Sequence, residues 1–284
     1  MRGYEFDHTQ GPSCALACAA SAVWRNYFVP MGSASDAPRG QRAGSQINNL
    51  AGMQRLLGDR VRVFNGYTQC DDIEALAAYI HGLSADELDQ LRASLRIGVH
   101  SEAEVTSCRP CVAPPSQTNQ LQPPEPPMQA DQPAHHVTQV LCSACAVGSS
   151  SKLKAWRPLA SLILEAAYEA TLAVAARNLG RGGAPFVYLT LLGGGAFGNG
   201  PRWIEAAVAR ALSLYRSHAL HVRIVHRSAH GPWMAAFQQL AARYRGKNEL
   251  LRLRHRSWQV VADDDESEEE EEDSHTLCSR VCAV

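Results

Sequence analysis

The 284-residue sequence lacks any apolar run approaching the ~20 residues that cross a bilayer, so no transmembrane helix and no membrane partner are expected. It also lacks the basic flank of a secretory signal. Glu5, Asp7 and His8 precede its short apolar stretch at 14–23. An even set of cysteines is missing as well. The chain has nine, so they cannot all pair within it, and without a signal reduced thiols in the cytoplasm or nucleus are expected. No internal repeat is visible. Net charge is almost absent, at −1. That balance hides two parts. Residues 263–284 carry ten carboxylates against Arg280, for −9, and residues 1–262 carry +8. Whole-chain charge therefore says little about partners.

What is present suits a core, since 45% of residues are hydrophobic. Residues 112–134 hold seven prolines and five glutamines and read as a disordered, polyproline-like insertion. Before it, residues 13–27 are Ala- and Leu-rich after Pro12 and predict a helix. Residues 61–65 predict a short strand. Asp71 and Asp72 open a helix with Ile73, Leu76, Ala77 and Ile80 on one face. Ser84 with Glu87 fits a capping box for a helix to about Leu95, and 96–106 reads as extended.

After the insertion, 137–147 reads as a buried strand. Residues 156–179 form a long helix with Leu159, Leu162, Ile163, Ala166, Ala170 and Val174 on its apolar face. Residues 185–192 are a continuous apolar strand, as in a sheet covered on both faces. A helix at 202–217, a strand at 220–226 and a helix at 231–246 follow. Strand, helix, strand, helix, strand predicts two right-handed crossovers and a parallel sheet.

The segment between 192 and 202 carries the chemistry. Gly193, Gly194, Gly195, Ala196, Phe197, Gly198 and Asn199 follow a buried strand and open a helix. Such a loop can bring backbone N–H groups to one point beside a helix N-terminus, where a phosphate fits. A plain strand–helix turn explains the same glycines without a ligand. Gly193, Gly195 and Gly198 also match the G-x-G-x-x-G dinucleotide fingerprint. The next strand ends in Val225, His226 and Arg227 without the acidic residue that normally follows that fingerprint, although an Arg could suit a 2′-phosphate, so a Rossmann-type dinucleotide-binding protein stays an alternative.

At these residues the sequence resembles the macro domain family, whose members bind ADP-ribose and in some branches hydrolyse it. A strand, a helix with the pattern LEAAYEATLAVA, the strand LTLL and the loop GGGAFGN occur here in order. Poly-ADP-ribose glycohydrolases carry a similar G-C-G-x-F-G loop. A macro-like group in microbes and protists is closer still. Its matches here are Asp7, Thr9, Gln10, Gly11, Pro12, Cys14 and Ala15, then Arg25, Asn26, Tyr27 and Phe28, then 193–199. The resemblance implies an α/β fold, a three-layer α/β/α macro-like domain with a mostly parallel central sheet. It implies ADP-ribose or an ADP-ribosylated substrate as partner, with no cofactor. Binding residues would be Asp7, Gln10 and Gly11 together with 193–199. Asp7 would hold a ribose hydroxyl or adenine amino group, and 25–27 would form part of the wall.

The family usually places a strand and an Asn-bearing segment before the Gln-Gly-Pro loop, whereas Asp7 lies six residues after Met1. The expectation is a truncated or incomplete site. Gly200 lengthens the loop before Pro201. The paired glutamates of the glycohydrolases are absent, so binding is implied and catalysis is left open. The expected organisation is a macro-like body over 1–228, a basic helical extension over 229–262 and an acidic disordered tail over 263–284.

Two further patterns offer alternatives. Cys108/Cys111 and Cys142/Cys145 are C-x2-C pairs that could hold zinc in a non-enzymatic interaction protein, but thirty residues separate them and no metal site is assigned. Residues 243–256 hold six Lys and Arg and could neutralise phosphates. They lack aromatic spacing for base stacking, and the acidic tail lies close by, so a nucleic-acid partner is not expected.

Overall fold

In the computed structural model, residues 19–32, 36–41, 45–64, 67–105, 135–225, 232–244 and 252–254 are described. Local sequence signals place most of the first half. Helix α1, Ala19–Val23, runs into a wider turn over Trp24–Phe28 that closes with a Val29 N–H to Trp24 carbonyl bond of 2.9 Å. Helix α2 is Ala51–Leu57. Strands β1, Arg62–Phe64, and β2, Tyr67–Gln69, pair antiparallel with Phe64 opposite Tyr67. Helix α3, Ile73–His81, starts where the Asp72 side chain accepts the Ala75 N–H, and it buries Ile73, Leu76 and Ile80. Helix α4, Ala85–Ser94, has the reciprocal Ser84–Glu87 capping box.

Strand β3, Gly98–Glu104, pairs antiparallel with β4, His136–Leu141. Helix α5 spans Leu153–Leu179. Then come β5, Phe186–Thr190, helix α6, Pro201–Leu214, and β6, His221–Val225. Helix α7, Pro232–Tyr244, and strand β7, Arg252–Arg254, complete the order. β5, β6 and β7 form a parallel sheet in that order. The protein is thus mixed α/β with small sheets, one of them parallel.

Three expectations change. The strand predicted over 137–147 ends at Leu141, and among the described residues it pairs with β3 and not with β5. An apolar run specifies a strand but not its partner, and here the preceding strand supplies it. The basic extension is not helical throughout, because 252–254 adds a parallel strand beside β6. Phe237, Leu240 and Ala241 of α7 also join the same core as β5 and β6. The first part of the helix predicted over 13–27 lies outside the described residues, as do the insertion 112–134 and the tail 263–284.

Helix α5 organises the core. Its first turns place Leu159, Ala160, Leu162 and Ile163 among Met53, Leu57, Ile73, Leu76, Ile80 and Leu91. Further along, Leu164, Tyr168 and Leu172 meet Val187, Leu189, Ile204, Val208, Val222 and Ile224. Burial therefore runs round the helix and exceeds the single apolar face expected. At 27 residues α5 is long and apolar enough to cross a membrane by length and composition. The expectation of no such stretch meets this exception, although Glu165 and Glu169 sit within the helix and its apolar side chains fill two cores. Arg92 fastens α4 to α5 through Glu165 at 2.6 Å, and Arg210 of α6 pairs with Glu169.

Alternation along β5 and β6 points Val187, Leu189, Val222 and Ile224 toward α5, α6 and α7. The opposite face carries Tyr188 and Arg223, both buried, with the Arg223 guanidinium 4.9 Å from the Phe186 ring centroid.

Candidate functional site

Residues 191–200 connect the C-terminal end of β5 to α6. In open parallel sheets this edge is where ligands bind. The chain leaves β5 under tight control. The Tyr168 hydroxyl donates to the Thr190 carbonyl at 2.7 Å and accepts the Leu192 N–H at 2.9 Å. Burial pushes the Tyr168 phenol upward, so it stays a neutral peg.

The loop then folds on itself. The Gly194 N–H reaches the Leu191 carbonyl, the Gly198 N–H reaches the Gly195 carbonyl and the Asn199 N–H reaches the Gly193 carbonyl, each at 2.9 Å. Asn199 is buried beneath. Its Nδ2 donates to the Cys145 carbonyl at 2.7 Å and lies 3.3 Å from the Gly193 carbonyl and 3.4 Å from that of Phe197. The Val147 N–H adds a 2.8 Å bond to the Phe197 carbonyl. The loop is thereby stitched to 145–148.

Two glycines have internal reasons to be glycine. Gly193 has φ +74°, and a Cβ there would lie 2.5 Å from the Ala144 Cβ. Gly198 has φ +68°, and a Cβ there would drive into Gly148, 2.8 Å from its N. Packing and backbone conformation thus account for two of the three fingerprint glycines. Gly194 and Gly195 do not share the positive φ.

Among the described residues, the N–H groups of Gly195, Ala196 and Phe197 make no hydrogen bond, and Gly195 and Ala196 are exposed. Three successive donors lie just before the N-terminus of α6. Pro201, at the start of that helix, removes a donor that would otherwise need a partner. Such an arrangement can take an anionic oxygen. The segment 193–199 holds no titratable side chain, so it offers binding groups and no acid or base.

The remaining site candidates divide. Asp7, Gln10 and Gly11 lie outside the described residues. Asn26 accepts a 3.2 Å bond from Gln41, and Tyr27 is exposed. Sequence reading missed Tyr168, the backbone of 145–148 and Tyr67. The Tyr67 ring lies 6.1 Å from that of Phe197 by centroids. A tyrosine inside an apolar helix was the available signal for Tyr168, since its hydroxyl needs a partner when buried.

Cys142 and Cys145 follow β4, Cys108 and Cys111 lie outside the described residues, and among the described residues no three metal-ligating side chains cluster. Burial pushes both the Cys142 and Cys145 thiols up to about 12. Because the folded value exceeds the unfolded one, the associated stability is present below pH ~9 and is lost as pH rises from there toward 12. Alkylation at pH 8 followed by peptide mass mapping should leave Cys145, which is 1% exposed, unmodified in folded protein and modify it after denaturation. Rapid labelling of Cys145 before unfolding would contradict its buried position.

The chain matches no protein-family model, no curated protein and no solved structure.

Proposed function

We propose that the protein is a macro-like module that binds ADP-ribose or a related nucleotide diphosphate through loop 193–199. The observation that carries this reading is the run of N–H groups at Gly195, Ala196 and Phe197, held at the C-terminal edge of a parallel strand and beside a helix N-terminus. Charge-assisted bonds from such donors contribute about 1.5–3 kcal/mol each. The resemblance in the order of strand, helix, strand, loop and helix points to the same ligand.

A three-layer α/β/α architecture is part of the proposal. Tyr188 and Arg223 are buried on the sheet face opposite α5, α6 and α7, which calls for a second layer there. Binding is the activity assigned. Hydrolysis of an ADP-ribosyl linkage would need a water positioned against the anomeric carbon by groups outside 193–199.

Titration calorimetry of the full chain with ADP-ribose, AMP and NAD tests the reading. ADP-ribose should release binding heat, and AMP should bind more weakly for want of a diphosphate. Gly194→Glu should abolish binding while circular dichroism stays unchanged, because it adds a carboxylate beside the donors. Equal affinity in that variant would show that the loop is not the site. No heat with any ligand would remove the proposal.

A further inference from the structure

We infer that Tyr67 is a specificity-determining residue of the loop site, forming with Phe197 an aromatic rim that takes a planar base. This inference rests on the function proposed above and names the side chains that read the nucleoside of that ligand, favouring it over pyrophosphate or a sugar phosphate.

The geometry starts from β1 and β2. Phe64 and Tyr67 sit opposite each other in an antiparallel register, so their side chains share one face. Both are exposed, at 62% and 52%. Two large rings kept in water on a three-residue ribbon contribute little to a core. Tyr67 instead stands 6.1 Å from Phe197, with the rings inclined at 54°. Phe197 is the residue whose N–H closes the run of unpaired donors. The ring pair and the anion donors therefore meet at one residue.

This placement is fixed from below. Val61 and Cys70, which flank the β1–β2 ribbon, pack in the same apolar core as Cys145. The Cys145 carbonyl in turn receives Asn199 Nδ2 at 2.7 Å. Thus the β1–β2 ribbon and the glycine loop are both anchored around Cys145, and Tyr67 is held at the rim. A diphosphate on the donors would carry its nucleoside to the loop's edge, where one ring face can be covered. Base–aromatic stacking is sequence-tolerant, so the rim selects for the presence of a base more than for its identity.

The experiment compares the full-length wild type, Tyr67→Ala and Tyr67→Phe by calorimetry with ADP-ribose, ADP, ribose 5-phosphate and pyrophosphate. Wild type should bind the two nucleotides more tightly than the two base-free ligands. Tyr67→Ala should weaken ADP-ribose and ADP about tenfold, a typical stacking loss. It should leave pyrophosphate affinity within about twofold, and Tyr67→Phe should restore nucleotide binding. If Tyr67→Ala weakens pyrophosphate as much as ADP-ribose, Tyr67 only supports the loop and the inference falls. Unchanged nucleotide affinity in Tyr67→Ala would also overturn it while leaving the loop's function standing. A wild type that binds none of the four ligands would remove both.

Discussion

Asn199→Asp should destabilise the protein by about 3–5 kcal/mol at pH 7, the scale for an uncompensated buried charge. The parent side chain offers Nδ2 to the Cys145 carbonyl, near the carbonyls of Gly193 and Phe197 as well. A carboxylate would set a negative oxygen among those acceptors in a position with 2% exposure. Its proton affinity should rise through burial and repulsion. By linkage, a folded pKa raised above the unfolded one confers stability below the unfolded value and loses it as pH increases through the folded value. The deficit against wild type should therefore shrink as pH falls toward 4. Urea unfolding at pH 7 and pH 4.5 measures both effects. A midpoint unchanged at pH 7 would mean that Asn199 does not hold the loop. Asn199→Ala removes the donor without adding charge and should cost less, about 1–3 kcal/mol.

Gly198→Ala should produce a loss on the order of 3 kcal/mol by a different route. The left-handed backbone at φ +68° is unfavourable for alanine, and the new methyl would meet the Gly148 backbone, which cannot rotate away. The strain should separate 193–199 from 145–148 and release the Val147–Phe197 bond. Thermal denaturation, with hydrogen exchange at Val147, reads the outcome. Unaltered stability together with full protection at Val147 would refute the close approach. The contrast with Gly194→Glu is diagnostic. One variant should fail in folding stability with binding lost as a consequence, and the other should lose binding with the fold intact.

Local chemistry made much of the fold readable. The Asp72 cap and the Ser84–Glu87 box lie within a few residues of the helices they start. The apolar stretch around β5 and the pattern of α6 announced themselves in the same way. Pairing was harder, because β4 reads much like β5 in hydrophobicity while only distant backbone bonds decide that it joins β3. Likewise, Arg252 and Arg254 look like phosphate ligands in a linear charge count, yet their backbone extends the sheet beside β6. At the site, the glycine loop could be located from composition. Its anchor could not, since the bond from Asn199 to Cys145 spans 54 positions and uses a carbonyl that every residue type possesses.

Helix α5 gives the two sequence halves a shared fate. It lies after the proline-rich insertion, yet its first turns complete the core built by α2, α3 and α4 from before it. Its later turns complete the core around β5 and β6. A cut within 112–134 would therefore sever the chain without separating two autonomous folding units. Each fragment would hold an interface that the other must occupy, so the nicked protein should behave as a complementing pair that assembles and melts as one cooperative body.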